Sequence, residues 1–332
     1  MALSSGETVQ IRLDEESAVG EVRRTARRLA TNAGLDESAA ERAAIVASEV
    51  GRNVVRHGRG GFVTLREIAG PPPGLEILAV DRGPGIPDVA AAMRDGHSTA
   101  GTPGQGLGAV RRLATAFDLW SAPDQGTALL AEIRTAPAPA LPIAGIAVPR
   151  PGEDVCGDVW VVVGDAHRTV LAMLDGLGHG PLAREAAQVG ADAIRRHAGL
   201  GPTDLLGLVH DALRSTRGAA VAVLEARDGE PVRFAGVGNV SAAIVAPAGV
   251  RRLVSLSGTL GHEMRRIQEF AYDWPPGALL VMHSDGLATH WALDAYAGLT
   301  LRAPALVAGV LLRDFQRGRD DATVLVARRE HP

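Results

Sequence analysis

The sequence contains no lysine: all 34 of its basic residues are arginines. That absence excludes any chemistry that needs a catalytic or phosphate-gripping lysine. There is a single cysteine, Cys156, which rules out an internal disulfide and fits a reducing compartment. No uninterrupted apolar run is long enough for a membrane-spanning helix and no secretory signal opens the chain, so the expected location is the cytoplasm. A strong excess of one charge is missing too. The net charge of −4 and pI near 6.2 leave no basic footprint for nucleic acid or anionic lipid.

What is present is a folded composition, 46% hydrophobic and 22% charged over 332 residues, enough for two domains with ample cores. Residues 135–142 read T-A-P-A-P-A-L-P, where three prolines break every period and favour an extended connector. The expected division is a first domain over residues 1–134, a linker over 135–142 and a second domain over 143–332. In the first, residues 8–13 alternate like a strand. Residues 17–33 read as a helix with Val19, Val22, Ala26 and Leu29 inward, and Asp36 suits the cap of the next helix. Further strands are expected at 62–68, 75–81, 118–121 and 127–134. The result is an α/β sandwich, a mixed sheet with helices on one face.

The chemistry of this half gathers in three places. Asp81 ends an apolar strand and opens D-R-G-P-G-I-P-D. At that position it can accept a hydrogen bond from an exocyclic amine, while Gly83 and Gly85 let a flat heterocycle approach the backbone. Gly104, Gly106 and Gly108 then run into a helix, and backbone N–H groups at such a start seat a phosphate. Ser98 and Thr99, in the stretch between, read as a solvated loop. Upstream, residues 43–57 read as a helix on which Glu49, Asn53 and His57 recur every four residues and share one face. Asn53 can offer its amide oxygen to a Mg²⁺ that bridges phosphate oxygens. Glu49, one turn earlier, can take a proton from an attacking hydroxyl.

The phrases S-E-V-G-R-N-V-V-R-H-G, D-R-G-P-G-I-P-D, R-D-G-H-S-T and G-Q-G-L-G-A-V-R-R-L together resemble the GHKL ATPase superfamily. Within it they most resemble the RsbT-type serine/threonine switch kinases, over roughly residues 8–134. The resemblance implies an N box at Glu49, Asn53 and His57, a G1 box at Asp81, Gly83 and Gly85, and a G2 box at Gly104, Gly106 and Gly108. It also puts Thr127, in the Gly126-Thr127 pair, near the nucleotide phosphates. ATP with Mg²⁺ is the implied cofactor, with Asn53 as metal ligand and Glu49 as base.

The second half carries acidic residues at strand ends. Asp158 precedes the apolar run 159–164, Asp175-Gly176 follows 169–174, Asp285-Gly286 follows L-L-V-M-H-S, and Asp320-Asp321 precedes 322–327. Hard oxygen ligands without a histidine and cysteine set point to Mg²⁺ or Mn²⁺ rather than zinc. Two such ions would activate a water and clamp both oxygens of a phosphoryl displacement. His179 reads equally as a turn residue and as a donor to phosphate. His283, Cys156, Trp274 and Trp291 read as packing residues. The phrases G-E-D-V-C-G-D, M-L-D-G-L-G-H-G, G-V-G-N-V, H-S-D-G-L and R-D-D-A-T-V-L-V resemble the SpoIIE/RsbX branch of the metal-dependent (PPM, type 2C-like) protein phosphatases, over roughly residues 143–329. This resemblance implies an α-β-β-α sandwich. Its implied metal ligands are Asp158, Asp175, the Gly176 carbonyl, Asp285 and Asp320. Asp321 stands where the wider family often has Asn, so the choice between Asp320 and Asp321 stays open.

Joined, the two resemblances imply a bifunctional regulator of a partner-switching pathway, of stressosome or anti-sigma type. One half would phosphorylate Ser or Thr of a STAS-domain protein with ATP, and the other would remove that phosphate. Two alternatives stand beside it. The ATP half is a sensing module without kinase turnover that governs the attached phosphatase, or it is an anti-sigma factor whose partner is a sigma subunit.

Overall fold

The computed structural model describes residues 2–4, 8–70, 72–93, 106–136, 142–165, 167–264 and 266–329. Contacts along the chain divide it into two compact units. One comprises Gly6–Leu141 with Ala292–Arg313, the other Met1–Ser5, Pro142–Trp291 and Asp314–Pro332. This differs from a single cut at the prolines, because strand β1 (Ala2–Ser4) and the segment Ala292–Arg313 each group with the half remote from them in sequence.

The unit built on Gly6–Leu141 runs β2 (Thr8–Arg12), α1 (Ser17–Asn32), α2 (Glu37–His57), β3 (Gly61–Ile68), β4 (Gly74–Asp81), α3 (Val89–Ala92), α4 (Leu107–Leu113), β5 (Ala116–Ser121) and β6 (Thr127–Arg134). Asp36 caps α2 as expected, its Oδ1 accepting the Ala39 N–H at 2.7 Å. Glu37 in the first turn and Arg56 and His57 in the last complement the helix dipole. Alternation along the strands sends Val63, Leu65, Leu75, Ile77 and Leu129 into one core with Val22, Leu29, Val46 and Val50 of the two long helices. The strand order is β2-β3-β4-β6-β5. Every pairing is antiparallel, not mixed as the sequence suggests. The β5–β6 hairpin inserts β6 between β4 and β5, so the two strands joined by the α4 crossover never become neighbours.

The other unit runs β7 (Ile143–Val148), β8 (Asp158–Gly164), β9 (Arg168–Gly176), α5 (Pro181–Arg196), α6 (Pro202–Ala212), β10 (Ala219–Arg227), β11 (Val232–Val237), β12 (Ser241–Ala246), β13 (Gly249–Leu253), β14 (Phe270–Tyr272) and β15 (Leu279–His283). After α7 (Pro304–Phe315) it closes with β16 (Ala322–Arg328). Two antiparallel sheets form, β1-β8-β9-β10-β11-β14 and β13-β12-β15-β16-β7. Helices α5 and α6 cover the first sheet through Val161, Leu174, Ala187, Val209 and Val221. On its other face Trp160 of β8 lies flat against Gly145 of β7, where an added Cβ would stand 2.4 Å from the indole. The two sheets therefore meet face to face.

Residues 292–313 change the picture of the β2-β3-β4-β6-β5 sheet. Leu78 and Val80 point away from the helical core, and Gly309 of α7 sits on them: a Cβ there would lie 2.9 Å from both. Trp120 of β5 donates its indole N–H to Ala297 O at 3.0 Å and meets Tyr296 edge-on with centroids 5.9 Å apart. Asp118 accepts the Ala303 N–H at 2.7 Å. Helical structure thus covers both faces of this sheet rather than one. The reason is physical: apolar residues alternate onto both faces, and both must be buried.

The sheet contact gives a direct test. Gly145→Val forces a branched side chain into the Trp160 ring and is expected to cost about 1–3 kcal/mol. Gly207→Ala on α6, where nothing lies within 4 Å, should be neutral or stabilising, since alanine is the better helix former. Denaturant midpoints of the two variants against the wild type check this.

Candidate nucleotide pocket and carboxylate centre

The last turns of α2, the end of β4 with the turn after it, α3 and the start of α4 enclose a cavity of about 520 Å³, a size suited to a small organic ligand. Asn53, His57, Asp81, Gly83, Gly85, Gly106 and Thr127 all line it. Asp81 is fixed by its own backbone surroundings: Oδ1 accepts the Gly83 N–H at 2.8 Å and the Thr127 N–H at 3.1 Å. Its Oδ2 accepts no bond from the described residues. Burial pushes the Asp81 carboxyl above the usual carboxylate range, while the Gly83 and Thr127 N–H groups, Arg313 and His57 pull it back. Gly85 adopts φ +75°, and a Cβ there would lie 2.1 Å from Ala122 O; only glycine fits this turn.

Not every expected residue reaches the wall. Glu49 is buried one turn up α2 and ion-paired to Arg52, outside the lining. Gly108 lies in the first turn of α4, also outside it. Gly104, Ser98 and Thr99 fall outside the described residues. The structure adds Val50, Ile86, Leu107 and Leu129 as apolar walls and Arg56 as a cation. Arg56 lies three residues past Asn53, so the helical spacing already places it on that face.

In the other unit Asp158 and Asp175 are direct cross-strand partners of β8 and β9. Asp158 is 1% exposed. Burial pushes its carboxyl up to about 7, opposed by the Ser284 hydroxyl. Asp175 is raised well above the usual range, first by burial and then by the charges of Asp158, Asp285, Asp320 and Asp321. Asp285 is raised by burial and by Asp320, and accepts from the Asn239 amide. Asn239 belongs to the G-V-G-N-V phrase, whose role the sequence reading leaves unassigned. Asp321 uses both oxygens on backbone, Oδ1 on the Arg150 N–H at 2.8 Å and Oδ2 on the Gly157 N–H at 2.7 Å. Asp320 uses only Oδ1, on the Asp321 N–H at 2.9 Å. Gly176 closes β9 opposite Ala219.

His179 pairs with Glu153 at 2.6 Å on the surface. His283 is buried and structural: its Nδ1–H donates to Ser284 O at 2.8 Å, leaving Nε2 to accept from Trp291 at 3.1 Å. Cys156 and Trp274 are buried.

Among the described residues no three His, Cys, Asp or Glu side chains close to ligating distance. The carboxylates nevertheless approach near enough to raise one another's pKa. Asp158 Oδ2 and Asp175 Oδ2 are buried without a hydrogen-bond partner, and orphaned anionic oxygens in such surroundings fit a hard divalent cation.

Residues 165–330 match the family model for stage II sporulation protein E (SpoIIE), and residues 11–132 that for the histidine kinase-like ATPase domain. The chain belongs to the SpoIIE family, with an ATPase domain ahead of the SpoIIE part. Two Bacillus subtilis proteins are similar to it. Serine/threonine-protein kinase RsbT is 34% identical over 122 residues, 36% of this chain and 92% of RsbT. Phosphoserine phosphatase RsbX is 25% identical over 140 residues, 42% of this chain and 70% of RsbX. A crystal structure of RsbX in complex with magnesium superposes with TM-score 0.51 at 21% identity, over 56% of this chain and 94% of that one, and shows the shared fold. A chain from a structure described as "The bacterial stressosome: a modular system that has been adapted to control secondary messenger signaling" gives TM-score 0.52 at 30% identity, over 56% of this chain and 98% of that one. Among the described residues of this SpoIIE-family chain, no helix is long and apolar enough to cross a membrane.

Stability measurements test the carboxylate centre. Adding Mn²⁺ or Mg²⁺ should raise the thermal midpoint of the full chain; at a hundred-fold excess over Kd the gain is about 2.7 kcal/mol. Asp175→Asn should remove most of it. The pH dependence has a fixed sign. Because Asp158 titrates higher folded than unfolded, protonation favours the fold. Metal-free stability from this group is greatest below about pH 4 and falls as pH rises through about 7. The metal gain should therefore be larger at pH 8 than at pH 5.

Proposed function

We propose that this chain is a bifunctional partner-switching regulator. One unit transfers the γ-phosphate of ATP to a Ser or Thr of a STAS-domain protein, and the other hydrolyses that phosphoester. The observation that carries the reading is the pairing of two chemically opposite sites on one polypeptide. One is a nucleotide-sized cavity with an anchored Asp81; the other is a facing pair of buried carboxylates with orphaned oxygens.

In the first site Asp81 Oδ2 takes the exocyclic amine of adenine, Val50, Ile86 and Leu129 pack on the ring, and Asn53 offers its amide oxygen to Mg²⁺. Arg56 supplies positive charge to the phosphates in a chain without lysine. Glu49, released from Arg52, accepts the proton of the attacking hydroxyl. In the second site Asp158, Asp175, the Gly176 carbonyl, Asp285 and Asp320 would hold Mg²⁺ or Mn²⁺. Asp320 is favoured over Asp321 because it keeps an oxygen free of backbone bonds. Such ions supply Lewis acidity and charge neutralisation for phosphoester hydrolysis. Support comes from the likeness to a serine/threonine kinase in the first unit and to a phosphoserine phosphatase in the second.

The ion pair between Glu49 and Arg52 favours a second reading, in which the first unit binds ATP without kinase turnover and regulates the phosphatase. Labelled ATP with a STAS-domain partner separates the two. Under the bifunctional reading Glu49→Gln lowers transfer by about 100-fold or more and leaves nucleotide affinity unchanged. Absence of transfer by the wild type, with binding intact, selects the sensor. In the same assay Asp175→Ala should abolish release of phosphate from the phosphorylated partner.

A further inference from the structure

Behind the Asp81 wall of the cavity stands a residue from far along the sequence. Arg313, the last residue of the segment Ala292–Arg313, is 7% exposed. Its Nη1 donates to Asp81 O at 2.7 Å and to Gln125 O at 2.8 Å. Those carbonyls flank the two backbone pieces that fix the Asp81 carboxylate, the turn to Gly83 and the turn to Thr127. In return, Arg82 donates from its guanidinium to Arg313 O. Between them Gly126 has φ +78°, and a Cβ there would stand 2.1 Å from Asp81 O and 2.7 Å from Arg313 Nη1. The segment that delivers Arg313 is itself tied to this unit: Gly309 sits on Leu78 and Val80, the Gln125 amide donates to Ala295 O at 2.9 Å, and Asp118 accepts the Ala303 N–H.

We infer that Arg313 is a positioning residue for base recognition, clamping the Asp81 and Gln125-Gly126 backbones so that Asp81 meets the exocyclic amine of an adenine nucleotide. This rests on the nucleotide reading of the pocket given above. It adds that the site is incomplete without a residue more than two hundred positions downstream of Asp81. Its bonds to Asp81 O and Gln125 O fall behind Asp81, so the clamp is expected to act on the base end.

That restriction sets the experiment. Affinities of the full chain for the non-hydrolysable analogues AMP-PNP and GMP-PNP are measured with Mg²⁺ for wild type, Arg313→Met and Arg313→Lys. Wild type should prefer the adenine analogue. In Arg313→Met the partly buried Asp81 and Gln125 carbonyls lose this donor. The adenine affinity should drop about ten-fold while guanine affinity stays within about two-fold, so the preference collapses. Arg313→Lys, whose single ammonium can serve both carbonyls, should retain it. Arg313→Gln, too short to span both, replaces the methionine variant if that one does not fold. Equal loss for both analogues marks a merely structural residue and overturns the inference, as does an unchanged preference in Arg313→Met. A wild type that binds neither analogue overturns the nucleotide reading itself, and the inference with it.

Discussion

Two carboxylates stand opposite one another at the ends of β8 and β9, in surroundings that penalise their charge. This constraint organises the second unit. A cross-strand Asp–Asp pair is unfavourable in isolation, and Asp158 and Asp175 each keep an oxygen with no donor among the described residues. The fold makes no attempt to relieve them with an adjacent lysine, since the chain has none. Instead it brings two more acids to the same strand ends, Asp285 after β15 and Asp320 before β16. Backbone N–H groups secure Asp321 beside them. On the proposed reading, a sheet end built this way would take a cation supplied from outside.

On the proposed reading, the first unit would hold an anion-bearing ligand without lysine. It would do so with backbone. Asp81 is held by main-chain N–H groups, Gly85 leaves its turn free of a side chain, and Gly106 and Leu107 at the start of α4 line the cavity. Two arginines stand at the site: Arg56 in the wall on the α2 face, and Arg313 behind Asp81. Arg313 comes from the segment Ala292–Arg313, which groups with Gly6–Leu141 although it lies far from it in sequence.

Much of this was legible in the residues because the signals are local. Glu49, Asn53 and His57 announce one helix face by their spacing, and Asp36 announces its cap. The acids at strand ends announce themselves by following or preceding apolar runs. What was not legible depends on contacts distant in sequence, which leave no periodic trace. Nothing near Arg313 in the chain points to Asp81. The pairing of Ala2–Ser4 with β8 is equally silent, and so is the insertion of β6 that makes the first sheet wholly antiparallel. Glu49 shows the converse. Its spacing puts it on one helix face with Asn53 and His57, yet it is ion-paired to Arg52 and outside the lining, and spacing alone reports neither.

The central claim is that one chain carries a nucleotide–metal site and a separate carboxylate–metal site. Anomalous diffraction from crystals grown with Mn²⁺ and AMP-PNP tests it most directly. The account predicts manganese peaks at two distinct places, one beside Asn53 with the nucleotide and one between Asp158 and Asp175. Nucleotide bound elsewhere, or no manganese at the Asp158–Asp175 pair, would contradict it.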